Sequence, residues 1–116
     1  MIRGDIWWAD FGIPFGSEPG YKRPVLIVQD NSFNNSRINT VVIIPFSTNL
    51  ALADAPGNVP SEKELSGLTK DSVLVVSQIY SLDRRRLVEK ISTLEKRLWV
   101  EIEEGLLTVL GIKKSI

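Results

Sequence analysis

Apolar residues along the chain come in short blocks parted by polar, glycine- and proline-bearing stretches, until their spacing changes in kind near the C-terminus. Residues 5–11, DIWWADF, are aromatic and apolar and read as a first strand. Trp7 and Trp8 are neighbours there and point to opposite faces, one to the core and the other towards a partner or a stacked base. Residues 12–22 hold three glycines and two prolines and form a long connection of the kind that often carries function. Pro24 opens an apolar run at 25–29, proline being tolerated at the first position of a strand. A polar turn over 30–35 leads to a buried strand at 39–45, followed by Phe46, Ser47, Thr48 and Asn49. Residues 51–67 are irregular, broken by Pro56, Gly57 and Pro60, with a short edge strand at 57–59. Residues 72–79, SVLVVSQI, make a fourth strong strand and 87–91 a shorter fifth.

From Ser92 the period becomes helical. Ser92, Thr93, Leu94 and Glu95 match a capping box, in which the Ser and Glu side chains satisfy each other's backbone amides. Leu94, Leu98, Ile102, Leu106, Val109 and Leu110 then recur at three- and four-residue spacing as one apolar stripe, and Gly111 suits the position just past the helix end. Trp99 departs from the stripe, which makes it either a half-buried edge residue or part of an interface. Strands joined by turns with one terminal helix predict a β-rich α+β domain. The geometry that covers several short apolar strands is a small, strongly bent antiparallel sheet, or an SH3-like partly open barrel, with the C-terminal helix lying on it. The pattern leaves the strand order open.

Size and charge narrow the function. A chain of 116 residues suits one domain, spanning 1–116. No apolar run approaches the ~20 residues of a membrane span, and residues 1–5 carry no signal-peptide core, so the expectation is a cytoplasmic protein without a membrane partner. Lys plus Arg and Asp plus Glu are both 14, a balance that argues against non-specific coating of duplex nucleic acid. A local basic groove is still available from Lys22, Arg23, Arg37 and the run Arg84, Arg85, Arg86, although a basic run is more often a solvated turn. There is no cysteine and no histidine. Thiolate chemistry, a Ser-His-Asp triad, a paired-histidine nuclease and most zinc sites are thereby excluded. A hard cation would need several converging acids, and here they are scattered, so no metal and no cofactor is expected.

The remaining candidates sit at strand ends. Arg23 follows the glycine-rich stretch 16–22, where a loop meets rigid scaffold, a place suited to holding a catalytic group; taken alone, a Lys-Arg pair there is as readily a solvated one. Ser47, Thr48 and Asn49 offer two hydroxyls and an amide beyond the third strand, residue types that also make ordinary turns. Ser77 and Gln78 interrupt an apolar run, either to bond within the sheet or to meet a ligand.

These segments, in order, resemble the MazF/PemK family of toxin endoribonucleases. The resemblance is carried by RGDIWWADF at 3–11, GSE at 16–18, KRPVLIV at 22–28, VIIPFST at 42–48, LTKDSV at 68–73, SQI at 77–79 and SLDRRRL at 81–87. Each motif is weak alone, and the ordered set covers nearly the whole chain. It implies a barrel-like sheet with a C-terminal helix, assembled as a homodimer. It also implies metal-independent, sequence-selective cleavage of single-stranded RNA, in which the 2′-hydroxyl attacks the adjacent phosphate to leave a 2′,3′-cyclic phosphate and a 5′-hydroxyl. A cognate antitoxin would lay an acidic segment in the RNA groove. The family arginine falls on Arg23. The hydroxyl residue, commonly Thr, falls on Ser47 with Thr48 beside it, and Pro19 stands where several relatives carry Gln. Gly16, Ser17, Glu18, Tyr21, Thr48, Asn49 and Gln78 then become candidate RNA contacts, with Glu18 a candidate base or base-edge acceptor. Related toxins of the same fold bind and poison DNA gyrase, which is the alternative.

The chemistry agrees with the assignment. RNA brings its own nucleophile, so the protein mainly positions the strand and stabilises charge on phosphate. A guanidinium forks onto two phosphate oxygens as an ammonium cannot, and its high pKa makes it a poor base. Arg23 would therefore stabilise charge while Ser47 bonds the phosphate, its hydroxyl matching that of Thr in donor and acceptor capacity.

Overall fold

Alternation along each strand decides which side is buried, and it divides one sheet between two apolar clusters. The computed structural model describes residues 1–13, 15–17 and 21–113. Its strands are β1 (Asp5–Asp10), β2 (Lys22–Ile27), β3 (Thr40–Ser47), β4 (Val59–Ser61), β5 (Ser72–Leu74), β6 (Tyr80–Asp83) and β7 (Leu87–Thr93). They form an open, antiparallel, seven-stranded sheet in the order β4-β5-β3-β2-β1-β7, with β6 also paired to β3. The helices are α1 (Asn31–Asn34), α2 (Lys63–Ser66) and α3 (Trp99–Leu110). Ile6, Leu26, Ile44, Phe46 and Leu74 face one cluster, closed by Leu98 and Ile102 at the C-terminal end. Ala9, Val25, Ile27, Val41, Ile43 and Leu82 face the other. As alternation requires, Trp7 packs on this second cluster while Trp8, on the opposite face, is 37% exposed. The bent antiparallel sheet with a C-terminal helix is the predicted fold.

Several boundaries move, each for a physical reason. β3 runs on through Ser47 because it changes partners: Val41 to Ile43 pair with β6, and Phe46 and Ser47 pair with β5. The run expected as one strand over 72–79 holds only the short strand β5 at Ser72–Leu74 and a tight turn at Val76–Gln78, after which β6 begins at Tyr80. Its apolar residues are continuous because Val73 to Val76 are all buried, whether in strand or in turn. The edge strand lies at Val59–Ser61 rather than 57–59. The capping box is not formed. Ser92 and Thr93 stay in β7, paired with Ile6 and Asp5, and the Ser92 hydroxyl donates to the Ser66 carbonyl. A short turn at Lys96–Leu98 intervenes before α3 begins at Trp99.

The expected helix end is observed. Gly111 has φ +67, a left-handed conformation that glycine adopts without the steric cost of a Cβ. Trp99 is a half-buried edge residue, with the Arg3 guanidinium 3.9 Å above its ring. Among the described residues no helix is long and apolar enough to cross a membrane.

Candidate active site

The register of β2 against β3 builds the site. Val25 pairs with Pro45, Leu26 with Ile44 and Ile27 with Ile43. Arg23 and Ser47 each lie two residues beyond the last pair of that ladder, on the strand face of Val25 and Pro45, and Ser47 pairs with Val73 of β5. On its other side Arg23 pairs with Ala9 of β1, so it shares the face of Ala9 and Val25. The β2–β3 ladder begins only at Val25, one residue past Pro24, which has no N–H to donate. Both strand ends extend from the rigid ladder behind them. Both Arg23 and Ser47 are half-buried.

Thr48 goes elsewhere. It lines an apolar groove of about 230 Å³ with Trp8, Pro24, Leu68 and Ile91, on the face opposite Arg23. Of the two neighbouring hydroxyls, Ser47 is the one on the arginine's side. The Ser47 hydroxyl accepts from the Asn49 amide at 3.1 Å, and the Asn49 carboxamide oxygen accepts from the Ala51 amide at 3.2 Å. Asn49 is therefore engaged in capping the tight turn Leu50–Asp54. That is the turn chemistry its residue type favours.

Tyr21, where the β1–β2 connection enters β2, is held by backbone bonds. Tyr21 takes a left-handed φ of +59; its amide donates to the Gly12 carbonyl and its carbonyl accepts from the Phe11 amide. A non-glycine residue in that region stores strain, and such strain is common where a loop is held in a working conformation. The Tyr21 side chain is exposed, as are Gly16 and Ser17. Gln78, half-buried, reaches the Ser17 carbonyl with its amide nitrogen at 3.5 Å, so the loop and the Val76–Gln78 turn meet. Glu18 lies outside the described residues. Arg23 and Ser47 extend from neighbouring ends of the β2–β3 ladder, Tyr21 precedes β2, and Gln78 meets Ser17, while Thr48 lines the groove with Trp8 and Pro24.

Two groups beside the site were not signalled by the pattern. Tyr80, 40% exposed, stacks edge-on against Phe11 at 5.8 Å between centroids. It was hidden because 72–79 read as one strand that ended before it. Asn58, within the edge strand expected at 57–59, accepts from both the Ser77 amide and hydroxyl at 3.1 Å.

The arginine run is mostly engaged. Arg84 donates to the Phe33 carbonyl at 2.9 Å, and Arg85 makes paired bonds to Asp83 at 3.1 and 2.9 Å. Those bonds hold the Asp83 carboxyl down at about 2. Arg86 donates to the Asp10 carbonyl at 3.1 Å, and Asp10 pairs with Lys22, so Lys22, Arg23 and Arg86 come from one corner of the sheet, with Asp10 the acid among them. Among the described residues no three His, Cys, Asp or Glu side chains converge as metal ligands.

Residues 2–110 match the PemK-like, MazF-like toxins of type II toxin–antitoxin systems. The chain belongs to this family. It is 38% identical over 112 residues to endoribonuclease MazF2 of Mycobacterium bovis, covering 97% of this chain and 98% of that one. Among solved structures it resembles MazF of Deinococcus radiodurans with a TM-score of 0.79 at 22% identity, covering 97% of both chains. It also resembles a mycobacterial endoribonuclease solved in complex with its cognate antitoxin, with a TM-score of 0.76 at 21% identity over 99% of both chains. The last two likenesses concern the fold of this MazF-like toxin.

Proposed function

We propose that this MazF-like toxin is a sequence-selective endoribonuclease that cuts single-stranded RNA without a metal ion and is held inactive by a cognate antitoxin. The observation that supports the reading is the β2–β3 ladder from whose end both Arg23 and Ser47 extend, in a chain whose relative at 38% identity is an endoribonuclease. In the reaction the ribose 2′-hydroxyl loses its proton and its oxygen bonds to the adjacent phosphorus. The bond from phosphorus to the 5′-oxygen breaks, and that oxygen leaves with a proton as a 5′-hydroxyl. A 2′,3′-cyclic phosphate remains.

Arg23 forks onto the non-bridging oxygens as charge gathers on them, and the Ser47 hydroxyl donates to the same phosphate. Because the nucleophile belongs to the substrate, holding it in line with the leaving oxygen is the larger part of the work. Gly16, Ser17, Tyr21 and Gln78 border the strand of RNA, with Phe11 and Tyr80 offering aromatic faces to unstacked bases. Glu18 is a base-edge acceptor or the proton-accepting group within the same loop. The toxin works as a homodimer, and an acidic antitoxin segment covers the cationic corner of Lys22, Arg23 and Arg86 by charge complementarity.

The test is a denaturing gel of a long RNA incubated with wild-type protein and with Arg23→Ala, both in excess EDTA. The wild type is expected to give discrete fragments and Arg23→Ala none, with its fold unchanged by circular dichroism. Cleavage that EDTA abolishes, or intact RNA alongside gyrase-dependent DNA breaks, would overturn the proposal.

A further inference from the structure

Two turns flank the candidate residues along the chain, Leu50–Asp54 just past Ser47 to Asn49 and Val76–Gln78, which contains Gln78, and they have no sequence neighbour in common. One side chain joins them. The Asn58 amide nitrogen donates to the Leu52 carbonyl at 2.9 Å, while its oxygen accepts from the Ser77 amide and hydroxyl at 3.1 Å each. Ser77 adjoins Gln78, which in turn meets the β1–β2 loop at Ser17.

Asn58 is itself fixed from behind. Gly57 (φ +89) lies on α3 so closely that a Cβ on Gly105 would sit 2.2 Å from the Gly57 carbonyl oxygen. A Cβ on Gly57 would meet Val109 at 2.8 Å and the Gly105 carbonyl at 3.1 Å. Only two glycines allow this approach, since a contact below 3.0 Å with backbone forces a displacement. The helix thus seats the loop at Gly57, and the next residue, Asn58, carries that placement to both turns. None of these atoms belongs to the charge-stabilising pair of Arg23 and Ser47.

We infer that Asn58 is a positioning residue for target selection: seated on α3 through the Gly57–Gly105 contact, it fixes the spacing of the two turns that border the RNA bases. The inference rests on the endoribonuclease reading. A group that sets the turns and leaves the phosphate site alone changes which sequences bind, and leaves the chemical step at a well-bound site nearly untouched.

The experiment compares wild type, Asn58→Ala and Asn58→Asp. Cleavage sites are mapped along a long RNA, and kcat and KM are measured on an oligonucleotide carrying one preferred site. Exchange of the Ser77 amide hydrogen is followed in the same proteins. Asn58→Ala is expected to unprotect the Ser77 amide, broaden the set of cleaved sites and raise KM about tenfold with kcat within about twofold, as loss of ground-state positioning does. Asn58→Asp keeps the acceptor for Ser77 but sets a carboxylate oxygen against the Leu52 carbonyl, so it is expected to protect the Ser77 amide while still broadening the set of cleaved sites. An unchanged cleavage pattern in Asn58→Ala, a fall in kcat equal at every site, or wild-type selectivity in Asn58→Asp would overturn the inference. Should the wild type itself fail to cut RNA, the endoribonuclease reading falls with it. The Ser77 exchange would still report whether Asn58 holds the turn.

Discussion

Arg23 and Ser47 come from strands that are joined through α1 and its flanking turns, and the β2–β3 ladder carries both to one end of the sheet. That makes their roles separable by substitution. Arg23→Lys keeps a charge but loses the fork, and is expected to lower kcat about a hundredfold or more, the scale of removing one donor to developing negative charge. Ser47→Ala is expected to fall in the same range and Ser47→Thr to retain activity, because the hydroxyl is what bonds. Thr48→Ala is expected to cut RNA at close to the wild-type rate, since its side chain lines the opposite groove. Single-turnover rates on one oligonucleotide check all four. A large loss in Thr48→Ala with little in Ser47→Ala would reverse the assignment.

Asp83 belongs to the same scale. Its carboxyl is held at about 2 against an ordinary 3.8, by the paired bonds from Arg85 first and the Arg85 backbone amide next. A depressed carboxyl stabilises the fold above its ordinary value and loses that contribution as the pH falls towards 2. Wild type is therefore expected to lose stability on Asp83's account between about pH 4 and pH 2, and Asp83→Asn to lack that component in acid titrations followed by fluorescence. Identical acid curves would show that the pair contributes nothing.

At the scale of elements, the terminal helix was legible and its start was not. Ile102 is fully buried against the sheet, as the apolar stripe requires, and Ile102→Ala is expected to cost roughly 2–5 kcal/mol, read as a lowered denaturation midpoint at unchanged slope. The capping signature at 92–95 misled because local capping competes with a strand partner. Ser92 and Thr93 gain a ladder with Ile6 and Asp5 that no pattern within one segment can reveal. The same limit hid the break in 72–79. Continuous burial of Val73 to Val76 looks alike in a strand and in a buried turn. The site was half legible for a related reason. Arg23 and Ser47 were findable by residue type and by their motifs, whereas the face each takes depends on pairing, and Thr48 could be set apart only by seeing it with Trp8 and Pro24. Asn58 gave no signal, because its partners Leu52 and Ser77 lie in different turns.

At the scale of the whole molecule, a net charge of zero coexists with a cationic corner of three side chains, Lys22, Arg23 and Arg86. RNA affinity should accordingly be salt-dependent but shallow. A log–log slope of about −2 is expected for roughly three phosphates neutralised by single strands at ~0.7 each. Anisotropy titrations with a 2′-deoxy oligonucleotide at several salt concentrations measure it, and a slope several times steeper would mean a far larger basic surface. The proposed homodimer bears on stability in the same way. If folding and association are linked, the thermal midpoint rises with protein concentration, which calorimetry at two concentrations detects.

The chemistry itself is tested by a single atom of the substrate. An oligonucleotide cut by the wild-type protein is remade with hydrogen in place of the 2′-hydroxyl at the scissile nucleotide alone, and both are incubated in EDTA. The all-ribose strand is expected to give a 2′,3′-cyclic phosphate and a 5′-hydroxyl, and the substituted strand to remain whole while binding equally well. Cleavage of the substituted strand at the same bond would contradict the mechanism built on Arg23 and Ser47, because the nucleophile would then have to come from water or from the protein.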